Sequence, residues 1–170
     1  MVDLHITDLA IATLFIGLLC VAAGSDIADL RIPNRISVAL AALYPFHVVA
    51  STGDVDWQGA LMVALLSFAV GALGFMGGFV GGGDVKLFAA VALWCGPAGI
   101  FDLIILTGVI GGLLGLVMVT RLRFVLAWSF QAVGATVVRN AFLRHVIPYG
   151  VAIAVAGFIV AGRPLMTFGR

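Results

Sequence analysis

The chain contains no glutamate: all eight of its acidic residues are aspartates, and charged side chains of both signs fill only 10% of its 170 positions. With 63% hydrophobic residues and a mean hydropathy of +1.23, it has too little polar surface to coat a water-soluble globule. A net charge of +1 gives no reason to expect a nucleic-acid-binding surface. Cysteine is nearly absent. Cys20 and Cys95 each sit inside an apolar stretch and outside any Cys-x-x-Cys pair, so both read as packing residues, and neither a disulfide framework nor a zinc site is expected. His5, His47 and His145 are scattered, so no metal site and no cofactor is expected. Basic residues are missing before Arg31, while Asp3 and Asp8 are present. That pattern argues against a cleaved secretory signal, and the first apolar segment is expected to stay.

What is abundant is apolar sequence in helix-length runs without the strict alternation of outer-membrane strands. In lipid, such runs satisfy their backbone groups as helices. The expected fold is all-α, a polytopic membrane helix bundle of about six transmembrane helices in one domain, residues 1–170. A first span covers 6–25, a polar segment covers 26–35, and Pro33-Asn34 breaks one helix and starts the next, over 36–49. Residues 51–56 form an acidic loop, with Trp57 at the interface and a third helix over 59–79. That helix carries Gly71, Gly74, Gly77 and Gly78, which suit close packing in membranes. A fourth helix starts over 87–94, Gly96-Pro97-Ala98-Gly99 is a turn, and a fifth helix covers 100–120, with Asp102 near its start. Residues 124–138 read as an interfacial helix rather than a short span, and a last span covers 146–160, with Pro148 in its first turn. Placing Arg31, Arg35, Lys86, Arg121, Arg123, Arg139 and Arg144 on one side leaves only Arg163 and Arg170 opposite. By the positive-inside rule that side is cytoplasmic.

This topology, reached from basic residues alone, puts two acids on the same side: Asp26 at the end of the first span and Asp84 behind Gly81-Gly82-Gly83. Twelve residues from Asp84 to Cys95 give about 18 Å of helix, short of a bilayer core of about 30 Å. Asp84 is therefore expected below the headgroups, where ionisable residues are rare and usually functional, unless the turn itself is buried. The glycines let an extended substrate approach the carboxylate; the plain alternative is a loop in which Asp84 caps the fourth helix. Two close carboxylates cannot both ionise cheaply, so one keeps a proton while the other activates water. By helix polarity Asp84, at a helix start, is expected to begin as base, and Asp26, at a helix end, as acid. Asp29 either meets a basic substrate segment or is solvated or paired with Arg31. Lys86 either snorkels to headgroups or holds a substrate carboxylate.

The run Asp26-Ile-Ala-Asp29-Leu-Arg-Ile-Pro33-Asn34, followed by Gly81-Gly-Gly83-Asp84-Val-Lys86-Leu, resembles the type IV prepilin peptidases, GxGD membrane aspartyl proteases. In that family an Asp six residues before Ile/Leu-Pro-Asn/Asp pairs with the Asp of Gly-x-Gly-Asp. The resemblance implies that Asp26 and Asp84 are the catalytic pair, with Asp29, Pro33, Asn34, Gly81, Gly83 and Lys86 binding substrate or supporting the site. It implies removal of a short basic leader from prepilins or pseudopilins at the cytoplasmic face of the inner membrane, in contact with the lipid bilayer and other pilus assembly proteins. Long family members carry an N-terminal extension with paired cysteines and methylate the new pilin N-terminus; with no Cys-x-x-Cys here, neither a separate methyltransferase domain nor methylation is expected. It is similar to the short peptidases of tight-adherence, Flp-type pili. Competing readings are a small proton-coupled transporter using the same two acids and a noncatalytic assembly subunit with the acids as caps.

Overall fold

The computed structural model describes residues 2–51, 53–120, 128 and 148–167. The described residues form helices and no strands, in five elements: α1 (Val2–Asp29), α2 (Asn34–Ala50), α3 (Trp57–Met76), α4 (Gly82–Val119) and α5 (Tyr149–Thr167). Apart from Trp128, segment 124–138 lies outside the described residues, as do Arg121, Arg123, Arg139, Arg144, His145 and Arg170. Three stretches, Thr7–Asp29, Trp57–Met76 and Gly82–Val119, are long and apolar enough to cross a membrane. With Leu65, Leu73, Phe101 and Leu116 turned outward, the apolar exterior is that of an integral membrane protein.

Residue chemistry at the helix ends explains several departures from the expected boundaries. Helix α1 runs on through Asp26 to Asp29, so Asp26 lies in its last turns rather than in a polar loop. The helix stops where Leu30 takes a left-handed conformation (φ 53°), its N–H still bonded to the Asp26 carbonyl at 3.0 Å. Ser25 Oγ donates to the Arg31 carbonyl at 2.8 Å and pins the exit. Pro33 is the N-cap of α2, extended at φ −60° and ψ 133°. Helix α3 is capped by Asp56, whose side chain accepts from the Gly59 N–H at 2.9 Å. It ends at Met76 rather than near 79, because Gly78 (φ 75°) goes left-handed. Paired bonds from Phe79 N–H to the Gly74 carbonyl and from Gly78 N–H to the Phe75 carbonyl, both 2.9 Å, close the helix as a Schellman motif.

Helix α4 begins at Gly82, five residues ahead of the expected start, and the expected four-residue turn is a single non-helical residue, Gly96 (φ 59°, ψ −171°). At 38 residues α4 is about 57 Å of helix, far more than a bilayer core, so it must fold or tilt. It folds. Methyl groups at Gly150 and Gly157 would touch Ile32 and Val91, whereas methyls at Gly99 and Gly111 would touch Val160 and Tyr149. The arm before Gly96 thus runs parallel to α5 and the arm after it antiparallel, a hairpin bent at Gly96. Helix α4 packs on α2, α3 and α5, and α1 on α2 and α5. Phe15, Leu19, Leu40, Leu87, Val91 and Leu103 form the core where these helices meet. Small residues at these crossings let the backbones approach, the usual packing device in lipid. At the Gly96 end, Trp94 stacks with His47, contacts Phe15 and Tyr44, and donates to the Leu40 carbonyl at 2.9 Å. Cys95 packs against the core, but Cys20 faces outward and is not a packing residue within the chain.

Candidate active site

At the end of the bundle opposite Gly96, α1 finishes, α2 begins, α3 finishes and α4 and α5 begin. Asp26 and Asp84 both lie here, joined through Ile32: a methyl at Gly150 would touch both Asp26 and Ile32, and one at Gly83, the residue before Asp84, would touch Ile32 from the other side. Asp26 is buried, 5% exposed, inside the last turns of α1. Among the described residues its Oδ2 has no hydrogen-bond partner, and its carboxyl faces the backbone N–H groups of Gly150 and Val151. Those amides open α5 behind Pro148, in the first turn; the Val151 N–H also bonds the Pro148 carbonyl at 3.3 Å, while the Gly150 N–H has no intrahelical acceptor.

Asp84 is half-buried at the third position of α4, and the N-cap is Gly81. Its carboxyl turns back toward the Gly81 N–H, so closely that a methyl at position 81 would lie 2.7 Å from Oδ2. This is half of a capping box: the acid is the third residue of the helix reaching back to the cap, not the cap. Gly83 allows a different approach, since a methyl there would sit 3.3 Å from both Cβ and the carbonyl oxygen of Ile32.

The acid-base order expected from helix polarity loses its basis in this arrangement. Asp84 faces the amide end of α4 as expected, but Asp26 faces the amide end of α5 as well as the carboxyl end of its own helix. Helix polarity therefore does not tell the two acids apart.

Of the other predicted residues, Lys86 and Asn34 are brought together: Nζ donates to Oδ1 at 2.9 Å and ties the start of α4 to the start of α2. Pro33 precedes that contact as the α2 cap. Asp29 is exposed at the last residue of α1 and does not share the burial of Asp26. Asp102 is exposed on the far arm of α4, away from the pair. No group of His, Cys, Asp or Glu able to hold a metal occurs among the described residues.

Sequence reasoning did not find the residues that surround the pair. A cavity of about 590 Å³ lies between α3, both arms of α4 and α5, with Asp84 in its wall beside Val85, Phe88, Ile104, Thr107 and Tyr149. Its lining is almost wholly apolar, so an apolar chain segment could lie in it beside the carboxyl. Gly150 and Val151 were equally hidden, and Ile32 stood in the quoted motif without a role of its own. The one local signal was a glycine two residues after Pro148, in a first helical turn where no glycine is needed.

Comparison with known proteins adds an independent observation. The sequence model of the type IV leader peptidase family matches residues 13–116, which include both acids. A prepilin leader peptidase/N-methyltransferase of Bacillus subtilis (strain 168) is 32% identical over 154 residues, covering 88% of this chain and 54% of that protein. The chain thus spans about half the length of this curated relative. No solved structure matches.

Proposed function

The chain belongs to the type IV leader peptidase family, and from that membership we propose that it is a membrane aspartic endopeptidase removing the short basic leader from Flp-like prepilins or pseudopilins. Asp26 and Asp84 are the catalytic pair. The observation that carries this reading is their convergence, from helices far apart in sequence, at one end of the bundle on either side of Ile32 and beside an apolar cavity.

The chemistry follows from two carboxyls sharing one proton. The ionised one takes a proton from water as the water oxygen attacks the scissile carbonyl carbon, and the protonated one gives its proton to the carbonyl oxygen. When the tetrahedral intermediate collapses, the acid that gave up its proton takes one back from a hydroxyl of the intermediate, the C–N bond breaks, and the proton taken from water passes to the leaving amine. The two acids end with one proton between them, as they began. The cavity next to Asp84 suits an apolar segment at the cut, and exposed Asp29 is placed to meet basic leader residues. The Lys86–Asn34 bond holds two of the helix starts that frame the site. The cut is made at the cytoplasmic face of the inner membrane, the side assigned by the basic residues. Family membership favours this reading over a proton-coupled transporter, which has no use for a leader peptidase signature.

Cleavage of a co-expressed Flp-type prepilin by the wild type, Asp26→Asn and Asp84→Asn proteins tests the proposal, with membrane insertion checked for each. Either substitution is expected to lower leader removal by about 1,000-fold or more, the scale of losing one member of an acid-base pair with its activated water. Undiminished cleavage by either inserted variant removes the two-carboxyl mechanism.

A further inference from the structure

Asp26 comes from α1, yet its surroundings are set by α5. The first-turn N–H groups of Gly150 and Val151 face its carboxyl; the Val151 N–H also bonds the Pro148 carbonyl at 3.3 Å, whereas the Gly150 N–H has no acceptor within α5. The fit is tight. A methyl group at position 150 would lie 2.8 Å from Asp26 Oδ2, 2.9 Å from its Cγ and 2.6 Å from Ile32 Cδ1, and real Cβ atoms essentially never come within 3.0 Å of another group. Any side chain there must therefore displace the carboxyl, the isoleucine or both. Ile32 in turn backs onto Gly83, the residue before Asp84. One isoleucine thus lies between the glycine that abuts the first acid and the glycine that precedes the second.

We propose that Gly150 is a positioning residue for Asp26: its lack of a side chain and the direction of its N–H fix where the Asp26 carboxyl points toward Asp84. The proposal rests on the peptidase reading above. Gly150 lies beyond the residues matched by the family model, and its role is carried by the geometry of α5 alone. Positioning matters because proton transfer needs heavy atoms within hydrogen-bond reach, and a displacement of about 1 Å costs on the order of 100-fold in rate.

The same helix supplies a comparator. A methyl at Gly157 would lie 2.6 Å from Val91 Cγ1, as tight a contact as that at position 150 but remote from both acids. The test is steady-state cleavage of a prepilin by the purified full chain in detergent, comparing Gly150→Ala, Ile32→Val/Gly150→Ala, Gly157→Ala and Asp26→Asn. Gly150→Ala is expected to lower kcat about tenfold or more with KM within about twofold, the signature of a group needed in the transition state rather than for binding. Ile32→Val removes Cδ1 and relieves that clash while leaving the one with Asp26, so the double variant is expected to stay impaired. Gly157→Ala is expected to lower the melting temperature and keep kcat.

Wild-type kcat in Gly150→Ala, restoration by Ile32→Val, or an equal kcat loss in Gly157→Ala overturns the positioning role. If Gly150→Ala is not recovered from the membrane, the double variant is read alone: wild-type kcat overturns the role, and a kcat loss at unchanged KM upholds it. No cleavage by the wild type sinks the peptidase reading itself, and undiminished activity in Asp26→Asn sinks its two-carboxyl mechanism. Full activity in Gly150→Ala beside an inactive Asp26→Asn sinks only the role of Gly150.

Discussion

At the scale of single residues, the two acids were legible and their environments were not. Asp26 and Asp84 stood out because a carboxylate inside apolar sequence is costly unless something retains it. Which groups face them could not be read from neighbours in sequence, because the amides at Asp26 come from Gly150 and Val151. The same holds for Lys86, whose partner Asn34 is 52 positions away. Thr107 gives a residue-scale prediction. Its Oγ1 is buried without a hydrogen-bond partner among the described residues, in the wall of the cavity beside Asp84. A buried hydroxyl without a partner costs about 1–3 kcal/mol, so Thr107→Val is expected to stabilise the chain by about 1 kcal/mol. Thermal unfolding in detergent measures this, and a lowered melting temperature would show that the hydroxyl is satisfied.

Helices were legible as runs and misread at their ends. The apolar stretches gave the right order of the described elements, with the expected fourth and fifth helices joined as the two arms of α4, but α1 extends past Asp26, α4 starts at Gly82, and α3 stops at Met76. Each shift comes from backbone conformation: a left-handed Leu30 after α1, a left-handed Gly78 after α3, and an extended Gly81 before α4. The bend at Gly96 is the most consequential element-scale feature, since it returns the second arm of α4 to the cavity. Its φ of 59° and ψ of −171° belong to a region used almost only by glycine. Gly96→Ala is expected to cost about 1–3 kcal/mol. By contrast Gly108→Ala, on the same helix with nothing within 4 Å of the new methyl, is expected to be neutral or stabilising by up to about 1 kcal/mol. Equal melting temperatures for the two variants would show that the bend is not held by Gly96.

For the whole molecule, the arrangement makes a prediction about sidedness. The acids, the start of α2 and the end of α1 lie at one end of the bundle; the loop before α3 lies at the other, where Gly59 abuts Pro97 next to the bend. In a chain with Cys20 and Cys95 replaced by alanine, a membrane-impermeant thiol reagent applied to intact cells is expected to label Asp54→Cys. Asp29→Cys is expected to react only after the membrane is permeabilised. The reverse pattern would place the acids on the outer face and overturn cleavage at the cytoplasmic side.

By itself, the sequence determined that this chain is a membrane helix bundle and that two aspartates are its unusual features. Both conclusions depend on local quantities: the hydropathy of a run and the cost of a carboxyl within it. Tertiary structure alone decided what each acid faces, because hydrogen-bond partners and steric limits act over a few ångströms in space without regard to separation along the chain. Helix polarity read from sequence gave Asp26 the end of α1; packing also gave it the start of α5. The glycine that makes room for its carboxyl is 124 positions away in a helix that, read alone, shows nothing but apolar packing.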